Sequence, residues 1–167
     1  SRIVNANTFG ASAHKLAGSA YTLEQIITAG IENCKRACAP YGALTALDVG
    51  PLGELLEPSG TLAFEDAVAE YARIVKAGEA AGADLIFFET YTDLYELKAA
   101  LLAAKENTHL PILASMSFEA GGRTFTGCTV ESFAATARGL GADAVGINCS
   151  LGPKEIFPMA KRLAEAV

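Results

Sequence analysis

Gly139-Leu-Gly-Ala-Asp-Ala-Val-Gly-Ile-Asn-Cys-Ser-Leu-Gly-Pro153 is the stretch from which the fold can be read. It runs from a helix end, through a glycine cap, into an apolar run at 144–147 that reads as a buried strand. Asn148 and Cys149 close that strand, and a Gly-Pro turn follows. The earlier phrase Ala80-Ala-Gly-Ala-Asp-Leu85 has the same order of helix end, cap and strand start. A chain that repeats this order is assembled from βα units. A thiol at the carboxyl end of a parallel strand stands where such folds place their chemistry.

Working outward, residues 3–7 form a short strand. Thr22 and Gln25 make a capping box that opens a helix to about residue 39, where Pro40 stops it. A second strand at 44–49 leads through Gly50-Pro51-Leu52-Gly53 into a long loop with Pro58-Ser59-Gly60. A helix at 63–81 and a strand at 85–88 come next. Asp93 starts a further helix, with Glu96 as its reciprocal cap. A fourth strand follows at 112–116, a helix at 129–140, and the fifth strand at 144–147. The last helix, from about 154, is expected to break or restart at Pro158.

These strands are apolar on both faces, as in a parallel sheet covered by helices. From the second onward they recur at the spacing of a βαβ unit. Five units fit either a doubly wound open sheet or part of an eight-unit barrel, which when complete needs about 250 residues. No loop carries a G-x-G-x-x-G or G-x-x-x-x-G-K-[ST] signature, which weighs against the nucleotide-binding open sheets.

The 167 residues are 51% hydrophobic with a formal net charge of -6. That suits one globular domain with a buried core. No basic cluster is present to neutralise phosphates, so nucleic acid is not expected as a partner. Lys35-Arg36 and Lys161-Arg162 read as solvated helix faces. No apolar run approaches the roughly 18–20 residues of a membrane span. The first residues show no charged start followed by an apolar core, so no secretion signal is expected. The four cysteines do not make a disulfide scaffold. Reduced thiols in a cytoplasmic protein are expected.

Polar residues gather where the strands end: Asn5, Asn7 and Thr8; Asp48; Glu89 and Thr90; Ser115 and Ser117; Asn148, Cys149 and Ser150. In a barrel these ends share one rim and face one pocket. Carboxylates there suit an ammonium group, and amides and hydroxyls suit a carboxylate, so together they suit a small amino acid. Structural readings stand beside this one. Asp48 can cap its turn, Asn148 can fix one, and Cys149 can be a small buried hydrophobe. Glu89, after four apolar residues, needs a partner or a ligand. Cys34 and Cys38, at i and i+4 on one helix, have the spacing of a metal clamp without an obvious third ligand, and partial burial is the simpler reading. Cys128 lies in a glycine-rich loop with no partner in view. His109 reads as loop surface, and His14 as a residue that could approach the rim.

Taken in order, Asn5-Ala-Asn-Thr-Phe-Gly10, Leu47-Asp-Val-Gly-Pro-Leu-Gly-Glu54 with Pro58-Ser-Gly60, and Phe88-Glu-Thr90 with Asp93-Leu94 carry a family resemblance. Phe118 to Gly127 and Gly146-Ile-Asn-Cys-Ser-Leu-Gly152 continue it over almost the whole chain. They resemble the homocysteine S-methyltransferase domain, and most closely the zinc-containing N-terminal modules of cobalamin-dependent methionine synthases. The resemblance implies a (β/α)8 barrel in which three cysteine thiolates hold zinc and zinc holds homocysteine as its thiolate. The sulfur then attacks a methyl group from another module or a separate donor, a methylated corrinoid in the cobalamin-dependent branch. Carried over residue by residue, Cys149 matches the first zinc cysteine. Glu89 matches the carboxylate that receives the substrate's amino group. Asn148, Asp48 and the Asn7-Thr8 pair match rim positions near the ligand.

Two parts of the family pattern have no counterpart: the Asp-Gly-rich first strand and the Cys-Cys pair near the last strand. The chain is therefore expected to be one partial domain over 1–167, roughly strands two to six of a barrel. One thiolate cannot hold zinc tightly, since zinc sites use three or four protein ligands. The isolated chain is thus expected to lack methyltransferase activity. Its open first and fifth strands are expected to drive self-association. Two other readings remain. One is another barrel enzyme, such as a lyase or pterin-dependent transferase, disfavoured by the Asn-Cys-Ser motif and by the lack of a strand-end lysine. The other is a non-catalytic module that binds a small molecule or another domain. Corrinoid, betaine and S-methylmethionine branches share this barrel, so these residues do not choose the donor.

Overall fold

The structure, a computed structural model, describes residues 1–167. Strands β1 (Ile3–Asn5), β2 (Leu44–Val49), β3 (Leu85–Tyr91), β4 (Ile112–Met116) and β5 (Ala144–Ile147) alternate with helices. These are α1 (Leu23–Cys38), α2 (Phe64–Ala80), α3 (Leu94–Asn107), α4 (Val130–Gly139) and α5 (Pro153–Ala166). All strands are parallel, in the order β1-β2-β3-β4-β5.

That order decides between the two architectures. A doubly wound sheet reverses its strand order at a switch point. Here every strand lies beside its sequence neighbour, and right-handed crossovers then put every helix on one face. The fold is five consecutive units of a barrel, with β1 and β5 as its open edges. Leu47, Ile86, Phe88, Ala114 and Met116 point to the helix layer and are fully buried. Tyr71 of α2 meets Phe88 edge-on, ring centroids 6.1 Å apart. The opposite, concave face carries Asn5, Asp48, Glu89 and Ser115.

The repeated Gly-Ala-Asp phrase has a structural meaning. Gly82 and Gly141 stand at φ +85° and +79°, where a side chain is strained. Each releases the chain into an aspartate that joins the neighbouring strand. The Asp84 N–H donates to the Thr45 carbonyl at 2.9 Å, and Asp84 Oδ2 accepts the Thr45 N–H at 2.7 Å. Asp143 makes the same exchange with Ile112, both bonds at 2.8 Å. These carboxylates set the register at the base of the sheet.

The structure departs from sequence expectation in three places. Asp93 does cap α3, accepting the Tyr95 N–H at 3.0 Å, but Glu96 does not return to the cap. It is buried and accepts from the Leu52 N–H at 2.7 Å and the Tyr71 hydroxyl at 2.9 Å. Satisfying a buried donor outweighs a second bond at an exposed helix end. Burial pushes the Glu96 carboxyl above its ordinary range, and the two hydrogen bonds pull it back. Secondly, α5 runs unbroken through Pro158. The proline removes one bond, to the carbonyl of exposed Lys154 near the helix start, a position open to solvent. Thirdly, β1 ends at Asn5 and β3 continues to Tyr91, so Glu89 and Thr90 lie within a strand. No helix is long and apolar enough to cross a membrane.

Candidate active site

At the carboxyl end of the sheet, Thr8 is buried and grips the Asp48 backbone. Its hydroxyl donates to the Asp48 carbonyl at 2.8 Å and accepts the Asp48 N–H at 3.1 Å. Gly30 on α1 makes the room: a Cβ there would stand 2.7 Å from Thr8 Cγ2. The carboxyl so fixed accepts from Asn5 Nδ2 through Oδ2 at 3.4 Å, while Oδ1 is buried without a partner. Burial first, then the charge of Glu89, push the Asp48 carboxyl up to about 7; Asn5 pulls the other way. A buried carboxyl so raised beside a second carboxyl is suited to a cation.

Beside them, the β3–β4 register shifts between Phe88 and Tyr91, and Thr90 stands at φ +66°. For a β-branched residue that is a strained backbone, of the kind concentrated at functional sites. The strain brings Thr90 onto Asn148. The Thr90 N–H donates to Asn148 Oδ1 at 3.1 Å, and Asn148 Nδ2 donates to Thr90 Oγ1 at 2.7 Å. Ser115 donates to the same Oδ1 at 2.8 Å, and Ser117 to the Asn148 carbonyl at 2.9 Å. Asn148 thus ties together the ends of β3, β4 and β5. Cys149 and Ser150 follow at φ +60° and +57°. This turn leaves the Cys149 thiol exposed, 3.4 Å from Asn148 Nδ2 and 3.6 Å from Thr90 Oγ1.

Of the residues singled out in the sequence, Asp48 meets Glu89, Asn148 meets Cys149, and Thr8 supports Asp48 through its backbone. Asn7 stands apart. It is exposed and lines a cavity of about 530 Å³ along β1 and α1, with Asn5, Gly30 and Cys34. His14 pairs with Glu54 at 3.2 Å, outside this cluster. Cys128 is half-buried, its thiol 3.2 Å from the Thr129 carbonyl. Sequence reasoning placed Thr90, Asn5 and Ser115 on the rim with the other strand-end residues but assigned them no individual role. It ended the third strand at residue 88, and no local pattern signalled the bulge that puts Thr90 onto Asn148.

No three His, Cys, Asp or Glu side chains converge to hold a metal ion. Cys149, an exposed thiol at a strand end, has the donor chemistry of one position in a thiolate zinc site, and the residues of this chain do not complete the set.

The family model for homocysteine S-methyltransferase matches residues 1–167. The chain belongs to that family. Over 88 residues it is 33% identical to a methionine synthase of Mycobacterium tuberculosis, a match covering 50% of this chain and 7% of the relative. A methionine synthase of Mycobacterium leprae is 32% identical over 89 residues, again 7% of its length. The homocysteine methyltransferase MmuM from Escherichia coli has the same fold. Its metallated form aligns with a TM-score of 0.86 at 20% identity, over 100% of this chain and 64% of that one. Its apo form gives 0.79 at 21% identity, over 100% and 63%. The matched segments therefore cover under a tenth of the methionine synthases, and the chain spans under two thirds of these two MmuM structures.

Proposed function

We propose that this chain is the substrate-holding segment of a zinc-dependent homocysteine S-methyltransferase that makes methionine, with a methylated corrinoid as donor and a cytoplasmic setting. The observation that carries this reading is the rim itself: the Asp48–Glu89 carboxyl pair lies one residue along β3 from the clamp that holds Cys149. Glu89 receives the substrate ammonium, and Asp48 beside it gives up its proton as the cation arrives. Thr8 keeps Asp48 in place, and Asn7 contacts a ligand that reaches the β1 edge. Asn148 and Thr90 hold Cys149 at the end of β5 as one zinc ligand, the remaining ligands lying outside these residues. Zinc, when bound, supplies the Lewis acidity that keeps a thiol ionised near neutral pH. The corrinoid rests on the resemblance to cobalamin-dependent modules.

Homocysteine binding to the intact parent protein, measured by calorimetry, tests the reading. Glu89→Gln is expected to weaken it at least 30-fold, and an unchanged affinity would overturn the assignment. On the same reading the 167-residue chain alone binds zinc weakly and transfers no methyl group. One tightly held zinc per chain with turnover would contradict that. Its unpaired β1 and β5 edges, together with the uncovered inner face where Ile3 of β1 and Leu44 of β2 are exposed, pair with a second copy; a monomer by sedimentation at high concentration would refute this.

A further inference from the structure

A second thiol site lies near the opposite end of the sheet. Cys34 and Cys38 stand one turn apart on α1, both buried, with sulfurs 3.9 Å apart. The Cys34 sulfur is 3.6 Å from the Val4 carbonyl. Beside it, from β2, lies Thr45, a residue only 1% exposed whose hydroxyl has no hydrogen-bond partner in the protein. That hydroxyl acts on Cys34 in favour of its thiolate. Burial still holds the Cys34 thiol above its ordinary range, so the free hydroxyl is a donor that the pair takes up once its protons are displaced.

The pair is also reachable. Cys34 lines the cavity of about 530 Å³ along β1 and α1. Cys38 lines a second cavity of about 500 Å³. Val4 and Ala37 border both, so the two thiols form part of the partition between two openings.

We propose that Cys34 and Cys38 form a two-thiolate site for a soft monovalent cation such as Cu(I) or Ag(I). Thiolate sulfur selects soft cations. Metal–sulfur bonds of about 2.3 Å let two sulfurs sit up to about 4.6 Å apart, so this pair closes on a cation with little movement of α1. No His, Asp or Glu joins the thiols, which leaves harder divalent ions short of ligands. Burial, then the neighbouring Cys38 thiol and the Asp84 carboxylate, hold the Cys34 proton firmly, so only a strongly thiophilic cation displaces it. Each cation bound releases two protons. The complex keeps one net negative charge, and the Thr45 hydroxyl donates to it.

The test uses the 167-residue chain carrying Cys128→Ser and Cys149→Ser, so that only this pair remains. Anaerobic titration with Cu(I) against a colorimetric chelator is expected to show one Cu(I) per chain, undisturbed by equimolar zinc. Adding Cys34→Ser or Cys38→Ser should weaken binding at least 100-fold, with circular dichroism confirming the fold. Thr45→Val should weaken it severalfold at unchanged stoichiometry. No one-to-one uptake, or uptake unaltered by either serine, overturns the proposal. Where a serine variant fails to fold, protection decides: Ag(I) should block alkylation of the pair by N-ethylmaleimide, and thiols alkylated at the same rate with and without Ag(I) overturn the proposal.

Discussion

The two ends of the sheet treat their carboxylates in opposite ways. At the amino end, Asp84 and Asp143 each exchange a pair of hydrogen bonds with the backbone of the next strand. At the carboxyl end, Asp48 and Glu89 face each other, and one Asp48 oxygen is buried with no partner. The three non-glycine residues at positive φ, Thr90, Cys149 and Ser150, all stand at that end. The amino end is therefore built to hold register, and the carboxyl end keeps backbone strain and a buried carboxyl oxygen without a partner. The difference separates aspartates whose carboxylates the neighbouring backbone satisfies from one whose carboxylate it leaves unsatisfied, although the chemistry is identical.

The sharpest way to break this comparison is to remove charge from the rim. Glu89→Gln in the intact parent is expected to cost about 2–5 kcal/mol in kcat/KM for homocysteine, the range for truncating one partner of a desolvated charge pair. Stability should fall little, because a repulsion goes with the charge. Steady-state kinetics and urea denaturation, run side by side, check both halves. A variant that loses stability but binds homocysteine unchanged would place Glu89 with Asp84 and Asp143.

The pH dependence of the isolated chain probes the same pair. The folded Asp48 carboxyl titrates at about 7, well above the ordinary value of 3.8. A raised carboxyl favours the fold at low pH, and its contribution is lost as pH climbs from about 4 to about 7. Glu96, also raised, works in the same direction and leaves a residual slope. Asp48→Asn should flatten the decline and leave the variant more stable than its parent at pH 8, by about 1–3 kcal/mol. Urea midpoints at pH 5 and pH 8 decide it, and an unchanged slope would mean that the Asp48 carboxyl is not raised in the folded chain.

What could be read in the sequence follows the range of the forces involved. The Thr22–Gln25 capping box was legible because its partners are three residues apart. The five strands were legible because apolar runs and glycine caps are local. Asp48, Glu89, Asn148 and Cys149 were legible as strand-end residues because parallel βα units bring strand ends to one rim. Glu96 went astray because cap spacing is local, whereas its actual partners lie 44 and 25 residues away. The Thr90–Asn148 clamp spans 58 residues and depends on a register shift, which no local pattern encodes. The two Gly-Ala-Asp phrases were visibly alike, but their shared role needs the neighbouring strand.

That shared role supplies the next prediction. Asp143→Ala removes the acceptor for the Ile112 N–H and should destabilise the chain by about 1–2 kcal/mol, a charge-assisted bond discounted for its exposure. Homocysteine affinity in the intact parent should stay within about twofold, since one such change at the base leaves the rim contacts in place. Chemical denaturation and calorimetry read the two effects separately. If Asp143→Ala weakened binding as much as Glu89→Gln, the two ends of the sheet would not be independent.

The helix layer provides a third setting for a carboxylate and the smallest expected effect. Glu24 on α1 accepts from Arg73 on α2 through both oxygens, at 2.5 and 2.9 Å. The guanidinium holds the Glu24 carboxyl down at about 2. A depressed carboxyl stabilises the fold above its unfolded value, near 4.5, and loses that contribution as pH falls toward 2. Yet both side chains are 47% exposed, so water and salt screen the pair and ordering two long side chains offsets part of the gain. Arg73→Ala should cost no more than about 0.5 kcal/mol at pH 7, and nothing measurable in 1 M salt. Urea curves at both salt concentrations test this. A larger, salt-independent loss would mean that the Arg73 stem, not its charge, holds α2 against α1. The expected order places the best-formed ion pair below a single carboxylate bonded to backbone at the base, because solvent screens the first and the second sets strand register.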